Sequence, residues 1–160
     1  MIRVSLVGVR VEVPTNQPIV LLREEEGARY LPIFIGPPEA TAIVYALQGL
    51  DTPRPMTHDL FTTVLGETDV VLEQVVITDL DDGTFFAEVT LSRGEERWEI
   101  SARPSDAIAL AVRQAEPVPL FVAEDVIDEA GVLFDQEQDE EQIEEFREFL
   151  DQVRPEDFAQ

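Results

Sequence analysis

At 160 residues with 44% hydrophobic side chains, the chain carries enough apolar material for one domain with a real core and a small appendage. The absence of cysteine excludes disulfides and thiolate metal sites, so any metal would rest on oxygen ligands and the single histidine. With 34 acidic residues against 11 basic ones, all of them arginine, the net charge of −23 excludes nucleic-acid binding by diffuse charge.

The opening stretch, "MIRVSLVGVRVEVP", alternates as a long strand over residues 2–13, with Val4, Leu6, Val9, Val11 and Val13 apolar. Arginines interrupt it and no small-residue cleavage site follows, so a signal peptide is not expected. No apolar run approaches the roughly 18 residues of a membrane span, and a cytoplasmic protein is the expectation. "PTNQP" predicts a turn, "IVLLRE" a second strand, "EEEGA" a turn and "RYLPIFIG" a third strand. In "PPEATAIVYALQGL", Pro37 and Pro38 suit a helix start and Glu39 its first turn. Ala40, Ile43, Val44 and Leu47 recur at helical spacing, and Gly49 closes the helix. Thr57 is the expected N-cap of a short helix, "HDLFTTVL", stopped by Gly66.

A second three-strand run follows: "DVVLEQVVITDL", a turn at "DDGT", "FFAEVTLS", a turn at "RGEE", and "RWEISA". "RPSDAIALAVRQAE" reads as a third helix and "VPLFVAE" as a last strand. Near 138–153, Ile143, Phe146, Leu150 and Val153 form an apolar stripe on an acidic helix; residues 124–160 hold 15 acids and 2 arginines. The fold expected is α+β: two three-stranded antiparallel meanders, each followed by helix, in one compact domain over 1–130 with an acidic helical tail over 131–160. Strand, strand, strand, helix occurs twice, and the helix starts "PPEATAIVYAL" and "RPSDAIALAVR" are alike enough to raise an internal duplication.

Three helix starts carry the polar residues: Glu39, His58 with Asp59, and Ser105 with Asp106. Arg54 and Arg103 each precede a proline leading towards one of them. Brought to one place, Glu39, His58, Asp59 and Asp106 could hold Mg²⁺ or Mn²⁺. Arg54 and Arg103 would grip a phosphate, with Ser105 and Thr57 as further substrate contacts. His58 or a metal-bound water could act as base or nucleophile. Every position also has an ordinary explanation. Acids in a first turn complement the helix dipole, Thr57 and Ser105 can be caps, and Arg54 and Arg103 can pin loops through Asp59 and Asp106. No Gly-rich phosphate loop, nucleophile elbow or aromatic-basic stripe is present.

The stretches "LPIFIGPPEATAI", "RPMTHDLF" and "ARPSDAIALAVR" followed by "VPLFV" resemble, in order and separation, the bifunctional nuclease domain over about residues 1–130. The resemblance implies an α+β fold, self-association and activity on both DNA and RNA. It places the family's motif residues at Glu39, Arg54, Thr57, His58, Asp59, Arg103, Ser105 and Asp106. Two functions are therefore weighed: metal-assisted phosphodiester hydrolysis, and a non-catalytic oligomeric module binding a small anion or a protein partner. Apolar residues on both faces of "VLL" (20–22) and at Phe85-Phe86 add an expectation of a homo-oligomer, with a dimer as the first guess.

Overall fold

The computed structural model describes residues 1–13 and 15–134. In chain order the elements are β1 (Ile2–Glu12), β2 (Gln17–Glu24), β3 (Arg29–Phe34), α1 (Pro37–Leu47), α2 (Thr57–Glu67), β4 (Val71–Asp81), β5 (Thr84–Arg93), β6 (Glu96–Ala102), α3 (Pro104–Ala111), β7 (Leu120–Val122), α4 (Glu124–Ala130) and β8 (Val132–Leu133). The domain mixes α and β structure, with four helices and one eight-stranded sheet among the described residues.

The sheet order is β6-β5-β4-β7-β1-β2-β3-β8. β1, β2 and β3 pair antiparallel in succession, as do β4, β5 and β6. The short β7 joins the two runs, antiparallel to β1 and parallel to β4. Three residues thus fuse two local units into one sheet. α4 touches both β3 and β4, strands with three others between them, so the sheet is strongly curved.

Local chemistry accounts for most of this. In β1 the buried residues change phase, from Val4 to Val9, and a β-bulge lies between Leu6 and Gly8. The extra residue keeps both halves of the strand facing the same core. The β4–β5 turn has two residues, Asp82 (φ 48°) and Gly83 (φ 77°), the pair of positive φ values that matches the twist of the flanking strands. The core joins sheet and helices through Val9, Val20, Leu31, Ile33, Ile43, Val44, Val75, Ile77, Ile108 and Val122. At the far end, buried Glu24 accepts Arg29 Nε at 3.1 Å and Nη2 at 2.7 Å, while Arg29 Nη1 reaches Asp128 of α4 at 2.6 Å. The Arg29 hydrogen bond holds the Glu24 carboxyl below its ordinary range despite burial.

Several boundaries differ from those predicted. Met56, not Thr57, is the cap of α2, and Thr57 is its first helical residue. Gly66 lies inside α2, which ends only where Asp69 enters the left-handed region at φ 57°. α3 stops at Ala111 rather than near 116, because the Arg113 and Gln114 amides tighten to i−3 acceptors. The last predicted strand shrinks to Leu120–Val122, and the sequence after it forms α4, which was not predicted. Its seven residues give too short a period to see, although Glu124 and Asp125 mark its first turn. β8 was also not foreseen. The acidic helix predicted near 138–153 lies outside the described residues.

The ends of α1 and α2 make one prediction. Both close with the same pair of bonds: Leu50 N to Tyr45 O (3.0 Å) and Gly49 N to Ala46 O (3.2 Å), Val70 N to Leu65 O (2.9 Å) and Asp69 N to Gly66 O (3.2 Å). α1 has glycine in the left-handed position (φ 62°), and α2 has Asp69. Asp69→Gly should therefore stabilise the fold by roughly 0.5–1 kcal/mol, a higher urea midpoint at unchanged slope. A lower midpoint would mean that the Asp69 side chain contributes more than its backbone strain removes.

Candidate functional site

The starts of α1, α2 and α3 meet. Gly36 precedes α1, where Pro37 and Pro38 have no N–H to leave unpaired and Glu39 occupies the first turn. A Cβ at Gly36 would collide with the Glu39 carboxylate, so glycine there lets that side chain fold back. Arg103 is the cap residue of α3, followed by Pro104, buried Ser105 and Asp106. His58 stands in the first turn of α2.

A continuous chain of hydrogen bonds ties these starts together. Arg103 Nη1 donates to Glu39 Oε1 at 2.8 Å. The same guanidinium grips Asp106 with two groups, Nε to Oδ2 at 2.7 Å and Nη2 to Oδ1 at 3.1 Å. Asp106 Oδ1 also meets His58 Nε2 at 2.9 Å. An ionised carboxylate only accepts, so Nε2 carries the proton in this contact and Nδ1 of the neutral ring is left as the basic nitrogen. Nδ1 has no hydrogen-bond partner among the described residues and is not sealed from solvent. Burial pushes the Asp106 carboxyl up, but the hydrogen bonds from Arg103 and His58 outweigh it and hold the group below its ordinary range. Arg103 is shifted upward, first by Asp106 and then by Glu39.

Four of the sequence candidates, Glu39, His58, Arg103 and Asp106, thus share one network, and Ser105 adjoins it beside Arg103 in the wall of a cleft. The others stand apart from the chain. Asp59 accepts Arg113 Nε at 2.7 Å and, through its other oxygen, the Met56 amide at 2.9 Å. The Arg113 hydrogen bond is the main reason its carboxyl lies below the ordinary range. Exposed Arg54 forms no ion pair or side-chain hydrogen bond among the described residues, and Thr57 is likewise exposed. Of the two arginine–carboxylate pins weighed from sequence, Arg103–Asp106 forms; Asp59 is instead held by Arg113. Arg113 was missed because a lone arginine near a helix C-terminus ordinarily answers only the helix dipole.

The predicted ligand set does not assemble as one coordination sphere. Arg103 bridges Glu39 and Asp106, Asp59 is bound to Arg113, and no three His, Asp or Glu side chains among the described residues are grouped to hold a metal ion. As arranged, these side chains neutralise one another and do not fit a divalent cation.

A family model for the bifunctional nuclease domain matches residues 20–135, and the chain belongs to that family. Two uncharacterised proteins from two strains of Mycobacterium tuberculosis are each 47% identical to it over 163 residues, covering 97% of this chain and 96% of the relative. No helix among the described residues is long and apolar enough to cross a membrane.

Proposed function

We propose that this protein is a cytoplasmic phosphodiester hydrolase acting on DNA and RNA, with His58 as general base and Arg103 as the phosphate-binding group. The observation that carries the reading is the Glu39–Arg103–Asp106–His58 chain, in a member of the bifunctional nuclease domain family. Asp106 orients the imidazole, as a carboxylate does for a catalytic histidine, and leaves Nδ1 to take a proton from water. The water oxygen forms the new P–O bond, the opposite ester bond breaks, and the departing oxygen takes a proton from solvent. Arg103 spends three of its five N–H groups on carboxylates, so two remain for the phosphate. Glu39 holds the guanidinium from its other side. Arg54, exposed four residues before His58, supplies a second cation, with Thr57 beside it.

The metal-assisted form of the reaction, with Mg²⁺ or Mn²⁺ on Glu39, His58, Asp59 and Asp106, requires Arg103 and Arg113 to turn away from their carboxylates. It carries its own expectation: no cleavage without added metal. The test is incubation of the full chain with end-labelled single- and double-stranded DNA and RNA, with Mg²⁺, with Mn²⁺ and with chelator. Cleavage that survives chelation and disappears in Asp106→Asn supports the reading as stated. Cleavage that needs the ion supports its metal-assisted form. No cleavage under any condition rejects both. It leaves the oligomeric module that binds a small anion or a protein partner, a reading favoured by the net charge of −23.

The occupant we propose for the outer face of α2 is a second copy of the chain. Leu60, Phe61 and Val64 lie along one stripe of this helix and are 56%, 48% and 50% exposed. A two-fold dimer would bury that stripe against itself. Light scattering should give about twice the 18.0 kDa chain mass, and a monomer at micromolar concentration would remove the idea.

A further inference from the structure

A cleft of about 370 Å³ opens beside Arg103, between the end of β3, the β4–β5 turn and the first turn of α3. It is large enough for a small ligand. Its walls combine Phe34 and Phe85 with Glu39, Arg103 and Ser105. We propose that this cleft receives one unpaired nucleotide, with its base against Phe34 and Phe85 and its phosphate on Arg103. The proposal rests on the nuclease reading and narrows it: the substrate is single-stranded, or has a frayed or looped end.

Three observations carry it. The first is Ser105, which is 6% exposed and has no hydrogen-bond partner among the described residues. Its hydroxyl is not sealed, because among the described residues the buried side-chain atom that lacks both partner and solvent access is Thr62 Oγ1. A hydroxyl so buried ordinarily finds a partner, and here its open side is the cleft. The second is Phe34, 49% exposed at the end of β3, with half-buried Phe85 lining the same space. An open aromatic face is what an unstacked base uses, whatever its identity. The third is the sharing of Arg103 between the cleft and the Asp106–His58 pair. A phosphate held there lies next to the imidazole network.

Charge points the same way. Residues 1–123 hold 19 acids against 9 arginines, so a duplex with its paired backbones is repelled. A single nucleotide draws its affinity from stacking and one guanidinium. A free phosphate would use Arg103 and leave both phenylalanines without a role.

The test is binding by the full chain, read by fluorescence anisotropy with phosphorothioate-linked probes that are not turned over. The probes are a short single strand, the same strand with abasic spacers, and a blunt duplex. The intact single strand should bind at least about 10-fold tighter than either other probe. Phe34→Leu, which keeps bulk and removes the ring face, should weaken intact-strand binding by about 5- to 150-fold and leave abasic binding nearly unchanged. Binding should fall with salt at a log–log slope of about −0.7, the value for one phosphate on a single strand. Equal affinity for intact and abasic strands overturns the proposal, as does equal affinity for the duplex. Displacement by inorganic phosphate as effective as by a nucleoside monophosphate also overturns it. Because no turnover is read, base-dependent binding without cleavage rejects the hydrolase reading alone. Cleavage with no base-dependent binding rejects the nucleotide cleft alone.

Discussion

Replacing Arg113 by methionine should destabilise the protein by about 3 kcal/mol, which at this chain length lowers the thermal midpoint by about 10 °C. The side chain is 7% exposed and ties the end of α3 to the two other helices: Nε donates to Asp59 of α2 at 2.7 Å and Nη2 to the Ala42 carbonyl of α1 at 2.8 Å, while Nη1 donates back to the Ala109 carbonyl of α3 at 2.9 Å. Methionine would fill the space of the aliphatic stem but would remove the donors that Arg113 supplies to Asp59 Oδ1 and to the two carbonyls. Asp59→Asn should cost less, because its side chain is 39% exposed and water can replace part of the contact.

The pair also sets a pH dependence. The Asp59 carboxyl is held below its ordinary range mainly by the Arg113 hydrogen bond. A depressed carboxylate contributes its stability above the unfolded value of about 3.9 and loses it as pH falls through the lower folded value. The stability difference between wild type and Asp59→Asn should therefore be flat above about pH 5 and shrink below about pH 4. The difference is the useful quantity, since acid also relieves the self-repulsion of a chain at −23. A difference that stays constant to pH 2 would show that the ion pair does not form in solution.

His58→Gln should lower cleavage by about 10²- to 10⁴-fold and leave the thermal midpoint close to that of wild type. Glutamine can still offer an N–H to Asp106, so the 2.9 Å contact has a substitute, but the free basic nitrogen is gone. Full activity in a folded His58→Gln protein would return the histidine to a structural role. So would loss of activity in step with loss of folded protein. Arg103→Lys sharpens the comparison: lysine keeps the charge and cannot hold Glu39 and both oxygens of Asp106 at once. Its activity should fall together with its thermal midpoint, whereas the His58→Gln loss should be purely kinetic.

Much of the architecture was legible because its causes are local. The Asp82-Gly83 turn follows from which residues tolerate positive φ, and Pro37-Pro38 from the unpaired amides at a helix start. The sequence reading predicts one alternating strand over residues 2–13 and misses the bulge in β1, although the apolar spacing does change between Leu6 and Val9. Where sequence reading erred, a short or distant partner was deciding. Gly66 was expected to end α2, yet the backbone took its left-handed turn at Asp69, where an aspartate tolerates it. β7, of three residues, gains its place only by pairing with β1 and β4, both of which must already be nearby.

The residue types of the site, and their positions at helix starts, were determined by the sequence alone, through forces that act within a turn or two of the chain. Which of them meet was decided only by the tertiary structure. His58 and Asp106 are 48 residues apart, Arg113 and Asp59 54, Arg103 and Glu39 64. Those separations close because Ile43, Val44, Ile108 and their neighbours bury one face of each helix in a common core. That apolar packing is indifferent to charge, so nothing in the local pattern says which carboxylate will find which arginine. Once the helices are set, geometry assigns Asp106 to His58 and Asp59 to Arg113, separating two carboxylates that look alike in sequence.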